Sequence, residues 1–459
     1  MKKIILSIFT AIILSVTSFS AFAKTEVIWW DLLGGGDGVR MSQMIDAFEK
    51  ENPDIDIVNS TLEWGPPYYA KLQTSAAIGE QPDIAIYHIS RYQMAKGTNI
   101  FSPISVDELA SVGVTADQYY EPIWNKAKAD DDGYLFGLPL DNPLYVMHIN
   151  LDMFEEAGLL DENGHPTPLD GDFDNFFAAM EKLKAITGDT PPISFINGSQ
   201  YAIYWWMLSI IYQIGGEIWN PDDGYCPGNE CEIAMQFLAD LVDKGYNNRN
   251  ADGATEQGNF VSGKSAIFID GGWNVPTHVD MARKNELPFK YGVFKVPQLG
   301  PKMAAMLHSH TFIIPHSDVA PISDEKRAAV LRIMGWFSKN SLYWATAGHY
   351  LPHRPTVESP FFQNMWPNSG YADVGEVGFF EPNHPIFGIA GPTYDVMGNW
   401  FPGGVNGDIS VEEAIQGGIE EIIFVTRSGK EAIENHFDVN FELEHKLETS
   451  GKKKILKKN

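Results

Sequence analysis

The sequence predicts an α/β protein with two sheets, each mostly parallel and flanked by helices, and three observations support this. Strand-like and helix-like segments alternate from residue 27, the alternation resumes after residue 144, and 459 residues exceed what one hydrophobic core organises. The length implies two domains or a pair of interleaved lobes.

The first 23 residues, MKKIILSIFTAIILSVTSFSAFA, carry two lysines, an apolar run and the small-residue pattern Ala21-Phe22-Ala23, the layout of a cleaved export signal. The apolar run is shorter than the roughly 20 residues that span a bilayer, and no Cys follows the small residues. The mature chain is therefore expected to start near Lys24 as a soluble exported protein of 436 residues.

Val27-Ile28-Trp29-Trp30 reads as a strand, LLGGGDG as a turn, and VRMSQMIDAFEKENP as an apolar-periodic helix ending at Pro53. Ile55 to Val58 follows as a strand, YYAKLQTSAAIG as a helix and Pro82 to Tyr87 as a strand. This order argues for a parallel sheet covered on both faces, with ligands bound beyond the carboxyl ends of its strands. In the second block, LYVMHIN reads as a strand, and MFEEAGL, NFFAAMEKLKAIT, AIYWWMLSIIYQIGG and CEIAMQFLADLVDKG read as helices. No internal repeat is evident.

GNFVSGKS (258–265) satisfies the pattern of a phosphate-binding loop. Such a loop leaves a strand and opens a helix, whose N-terminus faces the phosphates. Here a helix-like ATEQGNFVSG precedes Lys264 and a strand-like Ser265 to Asp270 follows it, so a helix-turn-strand connection is expected instead.

With 33 basic against 60 acidic residues, the chain repels nucleic acid and anionic lipid. The lysine-rich end, residues 448–459, reads as a solvated basic tail. Cys226 and Cys231 are the only cysteines, and in an oxidising compartment they are expected to close a small disulfide loop.

NFVSGKSAIFIDGGW resembles the F-x-x-G-K-[AS]-A-[MI]-x-x-x-G-x-W segment of the solute-binding proteins that serve ABC importers for sugars and oligosaccharides, the family that includes maltose-binding protein. FEKENPDID, Gly137-Leu138-Pro139, Ile149 to Asp152 with FEEAGL, and WATAGHYLP agree along the mature chain. The resemblance implies the type II periplasmic binding fold, two lobes joined by chain crossings around a closing cleft. It places the first lobe at 24–140 plus 304–365 and the second at 141–303 plus 366–447.

A sugar needs flat aromatic platforms for its C–H faces and hydrogen-bonding groups for its hydroxyl rim. The resemblance implies that Trp273 stacks on ligand, that Trp205 takes the place of a stacking tyrosine, and that Trp400 is the C-terminal ligand tryptophan. It also matches Tyr87 to a cleft tryptophan and Arg91 to a cleft arginine, while Ser90 replaces an aspartate. By position, Asp31 beyond the first strand and Trp64 before two prolines are candidates. So are Asp141 and Asn142 after the Gly-Leu-Pro crossing, His310 at the return crossing, and Arg354. His308 and His310 look like a metal pair, but no carboxylate or cysteine lies near them in sequence, and a polar hinge is expected instead.

The function expected is binding of a neutral carbohydrate, a short oligosaccharide, in the periplasm and its delivery to an ABC importer in the membrane. The protein is expected to be a monomer, with no cofactor, no metal and no catalytic residue. The alternatives are a binding protein for a non-sugar solute and an exported glycoside hydrolase. The latter needs facing carboxylates, whereas Glu155 and Glu156 are adjacent on a helical segment.

Overall fold

The computed structural model describes residues 24–428 apart from 132, 168 and 170. The expected export signal and basic tail lie outside the described residues.

Nine strands make the two larger sheets: β1 (Thr25–Asp31), β2 (Ile55–Thr61), β3 (Ile84–His88), β4 (Leu138–Pro139), β5 (Tyr145–Asn150), β6 (Ile193–Phe195), β7 (Ile267–Gly271), β8 (Tyr291–Lys295) and β9 (His310–Ile313). The first sheet has the order β2-β1-β3-β9-β4 and the second β8-β5-β7-β6. The chain thus passes from the first sheet to the second between Pro139 and Tyr145, and returns between Lys295 and His310. The α/β fold class stands, but the sheets are mixed rather than mostly parallel. β1 runs parallel to β2 and β3, and β7 to β6, whereas β9 is antiparallel to β3 and β4, and β5 to β7 and β8. The reason is topological: β4, β5 and β9 adjoin the chain crossings, so no helical crossover within one sheet fixes their direction.

The helices that matter for the site are α1 (Gly35–Glu51), α2 (Pro66–Ile78), α3 (Gln200–Gln213), α4 (Gly253–Val261), α5 (Val275–Arg283), α6 (Asp324–Lys339), α7 (Pro392–Val405) and α8 (Val411–Ser428). Met41, Met44, Ile45 and Phe48 recur at helical spacing and form the buried stripe of α1. On β1, alternate residues Val27, Trp29 and Asp31 point inward. Trp29 packs between Phe312 of β9 and Phe337 of α6, each ring 5.3 Å away. α3 is buried along most of its length, as its uninterrupted apolar sequence requires, and packs against α7, which in turn carries α8.

The GNFVSGKS segment forms the end of α4, a left-handed turn at Gly263 (φ 72°) and the approach to β7. No helix follows to cradle a phosphate. A disulfide joins Cys226 to Cys231, which lies in the first turn of a helix over Glu230–Asp243.

Candidate functional site

Between the carboxyl ends of strands from both sheets lies a cavity of about 550 Å³. Leu32 to Gly34 and Asp37 line it beyond β1, Thr61 and Trp64 beyond β2, and His88 at the end of β3. The opposite wall carries Tyr145, Tyr201, Trp205, Asp270 and Trp273, while His310 and His349 close the buried end. Among the described residues, no lysine or arginine lines it.

The double glycine after β7 shapes the second wall. The Trp273 indole folds back over Gly271, where a Cβ would lie 2.2 Å from the ring, and a Cβ on Gly272 would lie 2.4 Å from the Gly348 carbonyl oxygen. Only glycines allow this turn, which sets the half-buried Trp273 against Tyr145 (5.7 Å) and Trp205 (5.5 Å), both edge to face. Trp205 is held more firmly. It is 4% exposed, stacks on His308 at 4.0 Å, and donates its Nε1–H to the Tyr394 hydroxyl (3.1 Å). His308 therefore backs a platform and does not pair with His310. On the facing side, Trp64 meets Tyr201 edge to face at 5.2 Å.

The buried end is a chain of ionisable groups. Asp37 Oδ2 meets His349 Nε2 (2.9 Å), and His349 Nε2 lies 4.0 Å from Asp141 Oδ2. Asp141 meets His310 Nδ1 through both oxygens (3.0 Å each), and accepts the His310 N–H (2.9 Å) and the Trp344 indole N–H (2.8 Å). Asp37 Oδ1 and His349 Nδ1 are buried without a protein partner. Burial opposes a charge on His349, but Asp37 and Asp141 outweigh it and push its pKa up to about 9. Burial likewise opposes ionisation of Asp141, yet His310 and His349 bring its pKa below the usual carboxylate value. His88 is driven well below the ordinary imidazole value by burial, then by His310, His308 and Arg91, and is therefore neutral. In the second wall, burial raises Asp270 to about 6 against the bonds it accepts from the Gly271 N–H and the Asn274 amide.

Of the residues read from the sequence, Trp64, Trp205, Trp273 and His310 line this cavity; the others lie elsewhere. Tyr87 points to the opposite face of β3 from His88, as strand alternation demands, and is buried among Tyr69, Tyr92 and Phe101. Arg91 is a buried brace, not a cleft donor. Its Nη1 donates to the carbonyls of Ile389 and Ala390, and its guanidinium lies 3.7 Å from the Tyr69 ring centre. Asp31 sits beneath the loop after β1, accepting from the Leu33 N–H and the Asn59 amide. Asp141 lies behind the histidines, and Asn142 is buried with its N–H bonded to the Tyr350 carbonyl. Trp400 packs over Gly417 of α8, so it serves a helix contact. Arg354 pairs with Glu358 (3.0 Å) beside a separate, open groove of about 850 Å³. That groove is the larger and carries Tyr119, Tyr120, Trp124 and Tyr350 among five carboxylates, but no large-sheet strand ends there.

A sequence model described as bacterial extracellular solute-binding protein matches residues 43–368. This chain belongs to that family. Solved structures share the fold of this solute-binding protein at low sequence identity. The cyclic α-maltosyl-1,6-maltose binding protein of Arthrobacter globiformis superimposes with a TM-score of 0.68 at 19% identity, covering 88% of this chain and 100% of that one. The GacH receptor of Streptomyces glaucescens, solved unliganded and with acarbose, gives 0.73 at 14%, covering 89% and 100%. UgpB of Mycobacterium tuberculosis, solved with glycerophosphocholine, gives 0.72 at 14%, covering 88% and 99%. A putative UTP–glucose-1-phosphate uridylyltransferase of Methanocaldococcus jannaschii is 62% identical over 47 residues, 10% of this chain and 17% of that enzyme. That match leaves nine-tenths of this solute-binding protein uncovered and carries no activity over to it.

The site residues missed in the sequence were Asp37, Tyr145, Tyr201, Asp270 and His349. Asp270 and Asp37 had a signal, since Asp270 sits at the carboxyl end of β7 and Asp37 in the first turn of α1, directly after the loop beyond β1. His349 had none, because it is 312 residues from its Asp37 partner. No described helix is long and apolar enough to cross a membrane.

Proposed function

We propose that this solute-binding protein takes a neutral carbohydrate, a short oligosaccharide, into the cavity between its lobes and delivers it to an ABC importer from the periplasm. The observation that carries this reading is the lining. Trp64, Tyr145, Tyr201, Trp205 and Trp273 surround the space, carboxylates and imidazoles supply polar contacts, and no described lysine or arginine is present. Aromatic faces suit sugar C–H groups, carboxylates accept from hydroxyls, and a lining without lysine or arginine, whose one raised histidine is already held by Asp37 and Asp141, gives a phosphate or carboxylate ligand no free cation to pair with. The volume falls in the range of about 300–1,000 Å³ common for small-molecule sites. The names of the Arthrobacter and Streptomyces proteins' ligands, a cyclic maltosyl-maltose and acarbose, favour this class, while the glycerophosphocholine of UgpB keeps a non-sugar solute as the second reading.

The lobes proposed are 24–140 plus 304–365 and 141–303 plus 366–447, of which 429–447 lies outside the described residues. Among the contacts between them is the ion pair of Arg40 in α1 with Asp280 in α5 (3.2 Å), which opens when the ligand leaves, while Arg91 donates to the Ile389 and Ala390 carbonyls. The protein acts as a monomer and binds without turnover. Calorimetric titration with neutral mono- and oligosaccharides, glycerophosphocholine and amino acids tests the reading. Saturable binding of at least one oligosaccharide is expected, and binding confined to a non-sugar solute would overturn it.

A further inference from the structure

We propose that Asp141, His310 and His349, with Asp37 beside them, form a binding site for a divalent first-row transition ion of the zinc type at the buried end of the cavity. The three residues come from the first crossing, β9 and the segment after α6, and the structure brings one donor atom of each to within 4.8 Å of the others. His310 Nδ1 is 3.0 Å from each Asp141 oxygen, His349 Nε2 is 2.9 Å from Asp37 Oδ2 and 4.0 Å from Asp141 Oδ2. Donor atoms about 2.0–2.2 Å from a tetrahedral ion lie roughly 3.3–3.5 Å from one another, and the observed separations bracket that value.

The donor set of two imidazole nitrogens and one carboxylate suits zinc and its neighbours rather than magnesium or calcium, which prefer oxygen alone. An outer shell exists as well, because the Trp344 indole N–H and the His310 backbone N–H orient Asp141. Asp37, His310 and His349 line the cavity, which gives the ion an entry path and an open side. Asp37 Oδ1, buried and unpartnered, faces no other protein group.

The test counts metal in the absence of any sugar, so its outcome is separate from that of the carbohydrate reading. The full mature chain is stripped with a chelator, titrated with zinc chloride in the calorimeter, and assayed for bound zinc after gel filtration. One zinc per chain is expected, with cobalt(II) in its place giving the intense visible absorption of a tetrahedral nitrogen–oxygen site. His349→Gln and His310→Gln are expected to weaken zinc binding by about 10-fold or more, with the folded state checked by circular dichroism. If a variant fails to fold, the cobalt spectrum of the unaltered chain decides. Absence of stoichiometric zinc at micromolar concentration, or a cobalt spectrum of octahedral type, would overturn the proposal.

Discussion

Trp273→Ala separates a ligand platform from a structural tryptophan. In the structure the Trp273 ring is half-buried and touches Tyr145 and Trp205 edge to face, at 5.7 and 5.5 Å. Losing two such contacts costs about 0.5–1.5 kcal/mol each, so the fold should weaken by about 1–3 kcal/mol. Removing an aromatic anchor at the centre of a binding site costs about 2 kcal/mol or more of affinity, roughly 30-fold in Kd. Trp205→Ala is the contrasting variant. Its 4% exposure, its stack on His308 at 4.0 Å and its hydrogen bond to Tyr394 place it in the core, where truncation costs about 3–5 kcal/mol of stability. Calorimetric Kd and denaturant unfolding of both variants make the assay. An unchanged Kd for Trp273→Ala, with a stability loss equal to that of Trp205→Ala, would refute the assignment.

Three further outcomes follow from other parts of the molecule. Asp280→Asn removes the ion pair between α1 and α5; a partly exposed pair of this kind is worth about 1 kcal/mol or less, so sugar affinity should fall up to about 5-fold and become less sensitive to salt, and an unaltered salt dependence would contradict the closing role. His278 is buried, faces His148 across 3.4 Å, and is surrounded by Phe260, Phe268 and Tyr291; burial lowers its pKa from 6.5 to about 4. The neutral ring is the folded form, so its contribution is complete above pH 6.5 and is lost as pH falls toward 4, by about 3 kcal/mol, and His148, also depressed by burial, acts in the same direction. Unfolding measured between pH 7 and 4 should therefore steepen for the unaltered chain and flatten for His278→Gln. Replacing Cys226 and Cys231 by Ser opens a loop of sequence separation 5; stability should drop by about 2 kcal/mol with no change in sugar affinity, since neither residue lines the cavity.

Much of the fold was legible because it is written in local periodicity. α1 shows its buried stripe in MSQMIDAF, and the helix-turn-strand around Lys264 was evident from the order of the apolar and polar residues. Strand direction was not legible, since β5 and β9 take theirs from partners far along the chain. In the site, Trp273 came from the resemblance of NFVSGKSAIFIDGGW to the family segment, and the two glycines before it explain why the structure turns its ring into the cavity. Tyr87 and Arg91 misled for a related reason: a strand end offers residues to both faces, and only packing decides that His88 meets the cavity while Tyr87 meets Tyr69 and Phe101. The Asp37, Asp141, His310 and His349 cluster was out of reach, because its members converge only through the two chain crossings.

The most direct test is a crystal structure of the mature chain with the oligosaccharide that binds most tightly in calorimetry. The account predicts the sugar between the lobes, a ring face in stacking contact with Trp273 and Trp64 at the opposite wall. A sugar seated in the groove beside Arg354, or a cavity filled by a phosphorylated or non-sugar solute while the oligosaccharide is absent, would contradict it.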